Sequence, residues 1–156
     1  MKYSLDTEFL EDGRSLTLLS LGLAAEDGRE YYAEVEGVEH TRANDWVRAN
    51  VLVHLGKSPQ AIKSRAQIRS ELIAFVGNEK PVFWGWYAAY DWVLFAQLIG
   101  DFETYRQELP QWPPLCFDLQ QASAMMGRPL IVPRALKHHA LDDARWVMSE
   151  LQRLGL

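Results

Sequence analysis

Residues 2–9, KYSLDTEF, decide how this chain is read. Lys2 to Thr7 reads as a strand. Side chains alternate along a strand, so Tyr3, Leu5 and Phe9 belong to one set while Asp6 and Glu8 share the opposite face. Two carboxylates on one face of a central strand repel each other, and each loses water if a helix packs over them. An exposed strand end would remove the conflict. A buried position demands positive charge, and no basic residue stands close by in the strand to supply it.

Working outward, Asp12-Gly13 and Asp27-Gly28 are turn signals. They bound a second strand, Leu16 to Ala24, and lead into a third, Glu30 to Val35, where Tyr31 and Tyr32 favour extended chain. Short turns between three strands predict an antiparallel meander. The pattern then changes. Asn44 to His54 and Ser58 to Val76 carry helical signals, the latter opened by Ser58-Pro59. Its expected apolar stripe runs through Ile62, Ala66, Arg69-Ser70 and Ile73, widened by Ile68, Leu72 and Phe75. Pro81 to Trp86 reads as a strand and Ala88 to Ile99 as a helix. Leu115 to Phe117 reads as a short strand. Asp118 caps a helix to Met126 that Gly127 and Pro129 end. Ala140 to Leu154 is the last helix. A meander followed by strands alternating with helices predicts an α/β domain, a mixed sheet flanked by helices.

The chain's 156 residues and 17.9 kDa suit one domain, residues 1–156. Hydrophobic residues at 48 % and charged residues at 24 % are a globular balance and argue against a disordered chain. A net charge of −5 excludes a generally basic nucleic-acid coat protein. The charge is uneven, however. Residues 42–69 carry Arg42, Arg48, Lys57, Lys63, Arg65 and Arg69 against Asp45 alone. Such a segment is either a polyanion contact, through Arg65 or Arg69, or a solvated helix face. The single cysteine, Cys116, excludes an intramolecular disulfide framework and a cysteine-built zinc site, and reads as a small buried residue. Acids at positions 6, 8, 11 and 12 interrupt any signal-peptide core. Asp91 in the middle of the apolar run 81–100 argues against a membrane span. A cytoplasmic location is expected.

Two further acids share the predicament of Asp6 and Glu8. Asp91 lies in an apolar, aromatic-rich run near a helix start, where the helix dipole favours it but does not explain its setting. On the last helix, Ala140, Ala144, Val147, Leu151 and Leu154 form the packed face. Asp143 lies on or beside that face, whereas Asp142 groups with Arg145, Trp146 and Ser149 nearer solvent. Four carboxylates carry the charge that two Mg²⁺ ions would balance, and oxygen donors suit Mg²⁺ or Mn²⁺ rather than zinc. A pair of such ions is the apparatus of phosphodiester cleavage. His138, five residues before Asp143, has the proton affinity to take a proton from water. A surface or capping role is the plainer alternative for it, and helix capping is the plainer role for Asp118.

Asp6-Thr7-Glu8-Phe9, then Tyr87 to Asp91, then His138-His139-Ala140-Leu141-Asp142-Asp143-Ala144 resemble the three motifs of the DEDDh 3′-5′ exonucleases. The small size, the DTEF start and the WGWYAAYDW block are most similar to the RNase AS group, polyadenylate-specific 3′-exoribonucleases. The family's histidine precedes its last acid by five positions, which His138 satisfies and His139 does not. The resemblance implies a ribonuclease H-like fold and hydrolysis of single-stranded RNA, or 3′ overhangs, from the 3′ end to nucleoside 5′-monophosphates. It implies that Asp6, Glu8, Asp91 and Asp143 bind two divalent cations, with Asp6 bridging them, and that His138 deprotonates the attacking water. Phe9 and Leu10 would line the terminal nucleotide's pocket. Trp86 and Tyr87 suit base stacking, worth about 1–3 kcal/mol per base, or ordinary core packing. Many members have Asn where Tyr87 stands, which bears on substrate contacts and not on metal binding. Enzymes of this type often form homodimers, and one is expected here. A DNA 3′-5′ exonuclease of the same family and a non-catalytic nucleic-acid-binding module are the alternatives the sequence leaves open.

Overall fold

The first strand continues past its carboxylates. A computed structural model, which describes residues 1–133 and 138–156, has β1 at Lys2–Glu11, β2 at Leu16–Ala25 and β3 at Glu30–Val35. These form the expected antiparallel meander. In its turns Asp12 Oδ1 accepts from the Arg14 and Ser15 amides, and Asp27 Oδ1 from that of Arg29. β1 outruns the anticipated end at Thr7 because its pairing with β2 resumes, after a register shift between Glu8 and Phe9, as far as Glu11.

The segment between the meander and the apolar strand is less helical than its sequence signals. Asn44 caps α1 by accepting from the Val47 amide, but α1 ends at Asp45–Asn50 and gives way to a 3₁₀ turn, Leu52–His54. Ser58-Pro59 opens only a 3₁₀ turn, Pro59–Ala61. Ile62–Lys63 is strand β4, because its backbone pairs in parallel with Glu34–Val35 at the sheet edge instead of with a helical turn. Ser64, whose hydroxyl accepts from the Gln67 amide, starts α2 at Arg65–Val76. The helix therefore buries Ile68, Leu72 and Val76, while Ile62, placed on its stripe by spacing, is exposed.

The remaining elements are β5 at Val82–Gly85, α3 at Ala89–Ile99, α4 at Phe102–Glu108, β6 at Phe117–Asp118, α5 at Leu119–Met126 and α6 at Ala140–Leu154. β6 falls later than the expected Leu115 to Phe117. α4 was not anticipated, although Asp101 caps it through the Thr104 amide. Cys116 is only partly buried. Among the described residues no helix is long and apolar enough to cross a membrane.

The six strands stand in the order β4-β3-β2-β1-β5-β6, with β5 parallel to both β1 and β6. On one face Tyr3, Leu5, Leu21 and Leu23 pack with Ile68 and Leu72 of α2 and Leu94 and Phe95 of α3. On the other, Ala24 and Trp84 pack with Ala144, Val147 and Leu151 of α6 and Leu119 of α5. The Ser4 hydroxyl, on this second face, donates to the Ala144 carbonyl and ties β1 to α6. β5 pairs with β1 only as far as Ser4 and ends at Gly85, whereas β1 runs on to Glu11. A gap therefore opens beside Asp6 and Glu8 at the carboxyl end of β5, the kind of position where open α/β sheets bind ligands.

Candidate active site

Strand β1 brings Asp6 and Glu8 to the gap on the α6 side. α3 brings Asp91 from the other side in its first turn, and α6 brings Asp143 in its own. Together with His138 these side chains line one cleft of about 420 Å³. Phe9, Leu10, Trp86 and Tyr87, the contact residues drawn from the sequence, line the same cleft. Ligand atoms of Glu8, His138 and Asp143 all lie within 4.8 Å of one another. Residues separated by more than 130 positions thus converge.

Asp91 and Asp143 are each set in place by a specific neighbour or approach. Thr7, pointing away from Asp6 and Glu8, donates both its amide (2.9 Å) and its hydroxyl (2.5 Å) to Asp91 Oδ1. Asp118 accepts from the Ala88 amide at the start of α3 (2.8 Å) and from the Gln121 amide at the start of α5 (2.9 Å). It is the cap the sequence suggested, and it fixes two helix starts at once. Gly22 faces Asp6 across the β1–β2 ladder, and an added Cβ there would stand 2.4 Å from the backbone of Ala140 and Leu141. A bare backbone at this position lets the first turn of α6 press onto the sheet, which sets how close Asp143 comes. Asp142 points elsewhere and pairs with Arg145 at 2.7 Å.

The carboxylates of the cleft are buried or half-buried and crowd one another. Burial, then the charges of Asp91, Glu8 and Asp143, push the Asp6 carboxyl well above the usual carboxylate range. Burial and the charges of Asp143 and Asp91 push Glu8 up to about 8. Burial raises Asp91 to about 6 even though the bonds from Thr7 pull it down. Among the described lining residues Arg42 is the one Lys or Arg side chain, and it pairs with Asp12. Crowded carboxylates with hard oxygen donors are a donor set that fits divalent cations.

His138 sits at the rim in a left-handed backbone conformation, φ 47°, with its ring edge-on to Trp46 at 4.7 Å. Burial, followed by the nearby His54, holds its pKa below the ordinary histidine value, so the ring is neutral near neutral pH. His139 turns away from the cleft and stacks on Tyr32. The other left-handed non-glycine residue among those described is Tyr87, φ 54°, with 64 % of its surface exposed. Asn tolerates that conformation better than a bulky residue, so a tyrosine here must be held in place by its surroundings. Two strained positions on one cleft are the pattern of a functional site.

Several lining residues escaped the sequence reading. Tyr90 packs edge-on against Phe9, and Trp146 against Trp86. Trp46 was hidden in the basic segment, although a tryptophan on a supposedly solvated helix was a usable signal. Conversely, Arg65 reaches the Gln97 carbonyl, and Arg69 reaches the Ile99 carbonyl and pairs with Glu108. Lys63 pairs with Glu71. These charges fasten α2 to its surroundings.

A family described as the 3′-5′ exoribonuclease Rv2179c-like domain matches residues 1–154. The chain belongs to this family. Two curated relatives from Mycobacterium tuberculosis are 40 % identical to it over 161 residues, spanning all of this chain and 92 % of theirs. They are the 3′-5′ exoribonuclease Rv2179c of strain H37Rv and the 3′-5′ exoribonuclease MT2234.1 of strain CDC 1551. Membership makes the chain a 3′-5′ exoribonuclease. The fold is shared with more distant structures. A chain from the complex of the yeast NOT1 MIF4G domain with CAF1 matches 99 % of this chain and 79 % of its own length, at a TM-score of 0.55 and 13 % identity. The 3′-exonuclease that recognises the histone mRNA stem-loop matches 98 % of this chain and 62 % of its own length, at a TM-score of 0.58 and 11 % identity. The mixed sheet flanked by helices is therefore the ribonuclease H-like fold that the motifs implied.

Proposed function

We propose that this exoribonuclease is of the DEDDh type and akin to the RNase AS group, acting as one domain over residues 1–156. It would remove nucleoside 5′-monophosphates from the 3′ end of single-stranded RNA or of 3′ overhangs. The observation that carries this reading is the convergence of Asp6, Glu8, Asp91, Asp143 and His138 on one cleft.

Asp6, Glu8, Asp91 and Asp143 would hold two Mg²⁺ ions, for which Mn²⁺ would substitute. Bound there, the cations supply positive charge that activates water and stabilises the departing oxygen. Binding them would also keep ionised the carboxyls that crowding otherwise protonates. His138 takes the proton from the attacking water on an imidazole nitrogen, a task for which its lowered pKa leaves it unprotonated. Water oxygen joins phosphorus as the bond from phosphorus to the penultimate nucleotide's 3′ oxygen breaks, that oxygen takes a proton from solvent water, and His138 returns its proton to solvent. Phe9 and Leu10 line the pocket of the terminal nucleotide. Trp86 and Tyr87 present faces to bases, a sequence-tolerant contact.

On the same reading the protein acts in the cytoplasm as a homodimer, and sedimentation at the 17.9 kDa monomer mass would refute the dimer. The test of the activity is digestion of 5′-labelled poly(A), mixed-sequence RNA and single-stranded DNA with Mg²⁺ or with chelator. A Mg²⁺-dependent ladder shortening from the 3′ end of RNA, lost in Asp143→Ala and His138→Ala, is expected. Equal cleavage in chelator, or retained activity in Asp143→Ala, would refute the metal assignment.

A further inference from the structure

The two adjacent histidines stand in opposite surroundings, and the one outside the cleft is the better anchored. The His139 ring lies flat on Tyr32, with centroids 4.6 Å apart and planes at 23°. Tyr32 is itself tied down, since its hydroxyl donates to Glu34 Oε1 at 3.1 Å. Glu34 is buried on β3, and its other carboxylate oxygen accepts the Gly56 amide at 2.7 Å. The His54 ring stands edge-on to His139 at 6.3 Å. β3 and the segment 52–56 thus build a seat for one imidazole.

His139 is also the N-cap residue of α6, and its carbonyl accepts the Asp143 amide at 3.1 Å. On its other side it is bonded to His138, whose φ of 47° an L-residue keeps only when its surroundings hold it there. A displacement of His139 therefore moves both the base and the last carboxylate. Its ring is turned to Tyr32 and not to the cleft. His139 is not among the residues that line the cleft, its buried Nδ1 has no hydrogen-bond partner among the described residues, and that atom is 3.9 Å from Asp142 Oδ2.

We propose that His139 is a positioning residue that acts as a flat slab, wedged against Tyr32, to fix where His138 and Asp143 stand. The inference rests on the roles given above to those two residues. Because the ring works by shape, phenylalanine would replace it. Misplacing reacting groups by about 1 Å costs on the order of 10²-fold in rate.

The experiment compares the full-length His139→Ala, His139→Phe, Tyr32→Leu and His138→Ala variants. Each is read by kcat and KM on a labelled oligoribonucleotide with Mg²⁺, and by the His138 Cε1–H resonance in metal-free protein. His139→Ala is expected to lose at least about tenfold in kcat with KM unchanged, and to shift or broaden the His138 resonance. His139→Phe should be at least about fivefold faster than His139→Ala and keep the resonance in place. Tyr32→Leu, which removes the stack from the other side, should reproduce the kcat loss and gives the answer if His139→Ala does not fold. A smaller loss in His139→Ala, or a phenylalanine variant no faster than the alanine variant, overturns the proposal. An active His138→Ala defeats the base assignment itself. An inactive His138→Ala beside a fully active His139→Ala defeats only this inference.

Discussion

Gly22→Ala probes how the site is assembled without touching any residue that would bind metal or substrate. The new methyl would stand 2.4 Å from the Ala140 carbonyl carbon and from the Leu141 nitrogen and Cα. Carbon atoms rest at about 3.5–4.0 Å, so the first turn of α6 must withdraw by roughly 1 Å, since backbone cannot swing aside as a side chain does. Overpacking of this kind costs about 1–3 kcal/mol. For a chain of this size each kcal/mol lowers Tm by roughly 2–4 °C. The same displacement carries Asp143 away from Glu8 and Asp6. We expect turnover on RNA to fall by about 10²-fold and Mn²⁺ affinity to weaken with it. Thermal melts, steady-state kinetics and calorimetry read the three effects. A variant with the parent's Tm and the parent's turnover would refute the claim that the bare backbone at position 22 sets the approach of α6.

Thr7→Val keeps the amide bond to Asp91 but removes the hydroxyl donor, and should lower kcat by about tenfold while Thr7→Ser stays near the parent, as assayed by RNA digestion. Asp118→Ala leaves the Ala88 and Gln121 amides without their cap and should cost about 1–3 kcal/mol in urea unfolding, so an unmoved midpoint would contradict the double-cap role. In chelator, Glu8 and Asp91 hold their protons to higher pH in the folded chain than in the unfolded one. The folded state therefore binds more protons from about pH 4 up to about pH 8, and stability falls as pH rises through that window by about a few kcal/mol. Tm measured without metal should drop between pH 5 and pH 8, and added Mn²⁺ should flatten the slope.

The sheet and the four carboxylates were legible because each rests on a short, strong pattern. Alternation placed Asp6 and Glu8 on one face, turn residues delimited the meander, and the periodicity of α6 separated Asp143 from Asp142. The resemblance to the DEDDh motifs, whose histidine precedes the last acid by five residues, pointed to His138, the histidine that lines the cleft. What could not be read depends on tertiary contact. Ile62 and Lys63 sit on helical spacing yet pair with β3, since an unpaired sheet edge competes with the helix for their backbone. The sequence left Arg65 and Arg69 open between a polyanion contact and a solvated helix face, because their acceptors, the Gln97 and Ile99 carbonyls and Glu108, lie 30 or more positions away. Gly22 carries no local signal at all, since its need arises from a helix 118 residues later. Thr7 hid between two acids, on the face opposite to theirs.

The central claim is that the crowded carboxylates exist to hold cations, and a calorimetric titration of the metal-free chain with Mn²⁺ tests it most directly. About two ions per chain are expected at saturation, with loss of that stoichiometry in Asp6→Asn while circular dichroism shows the fold retained. No binding to the parent chain, or an Asp6→Asn variant that binds as the parent does, would contradict it.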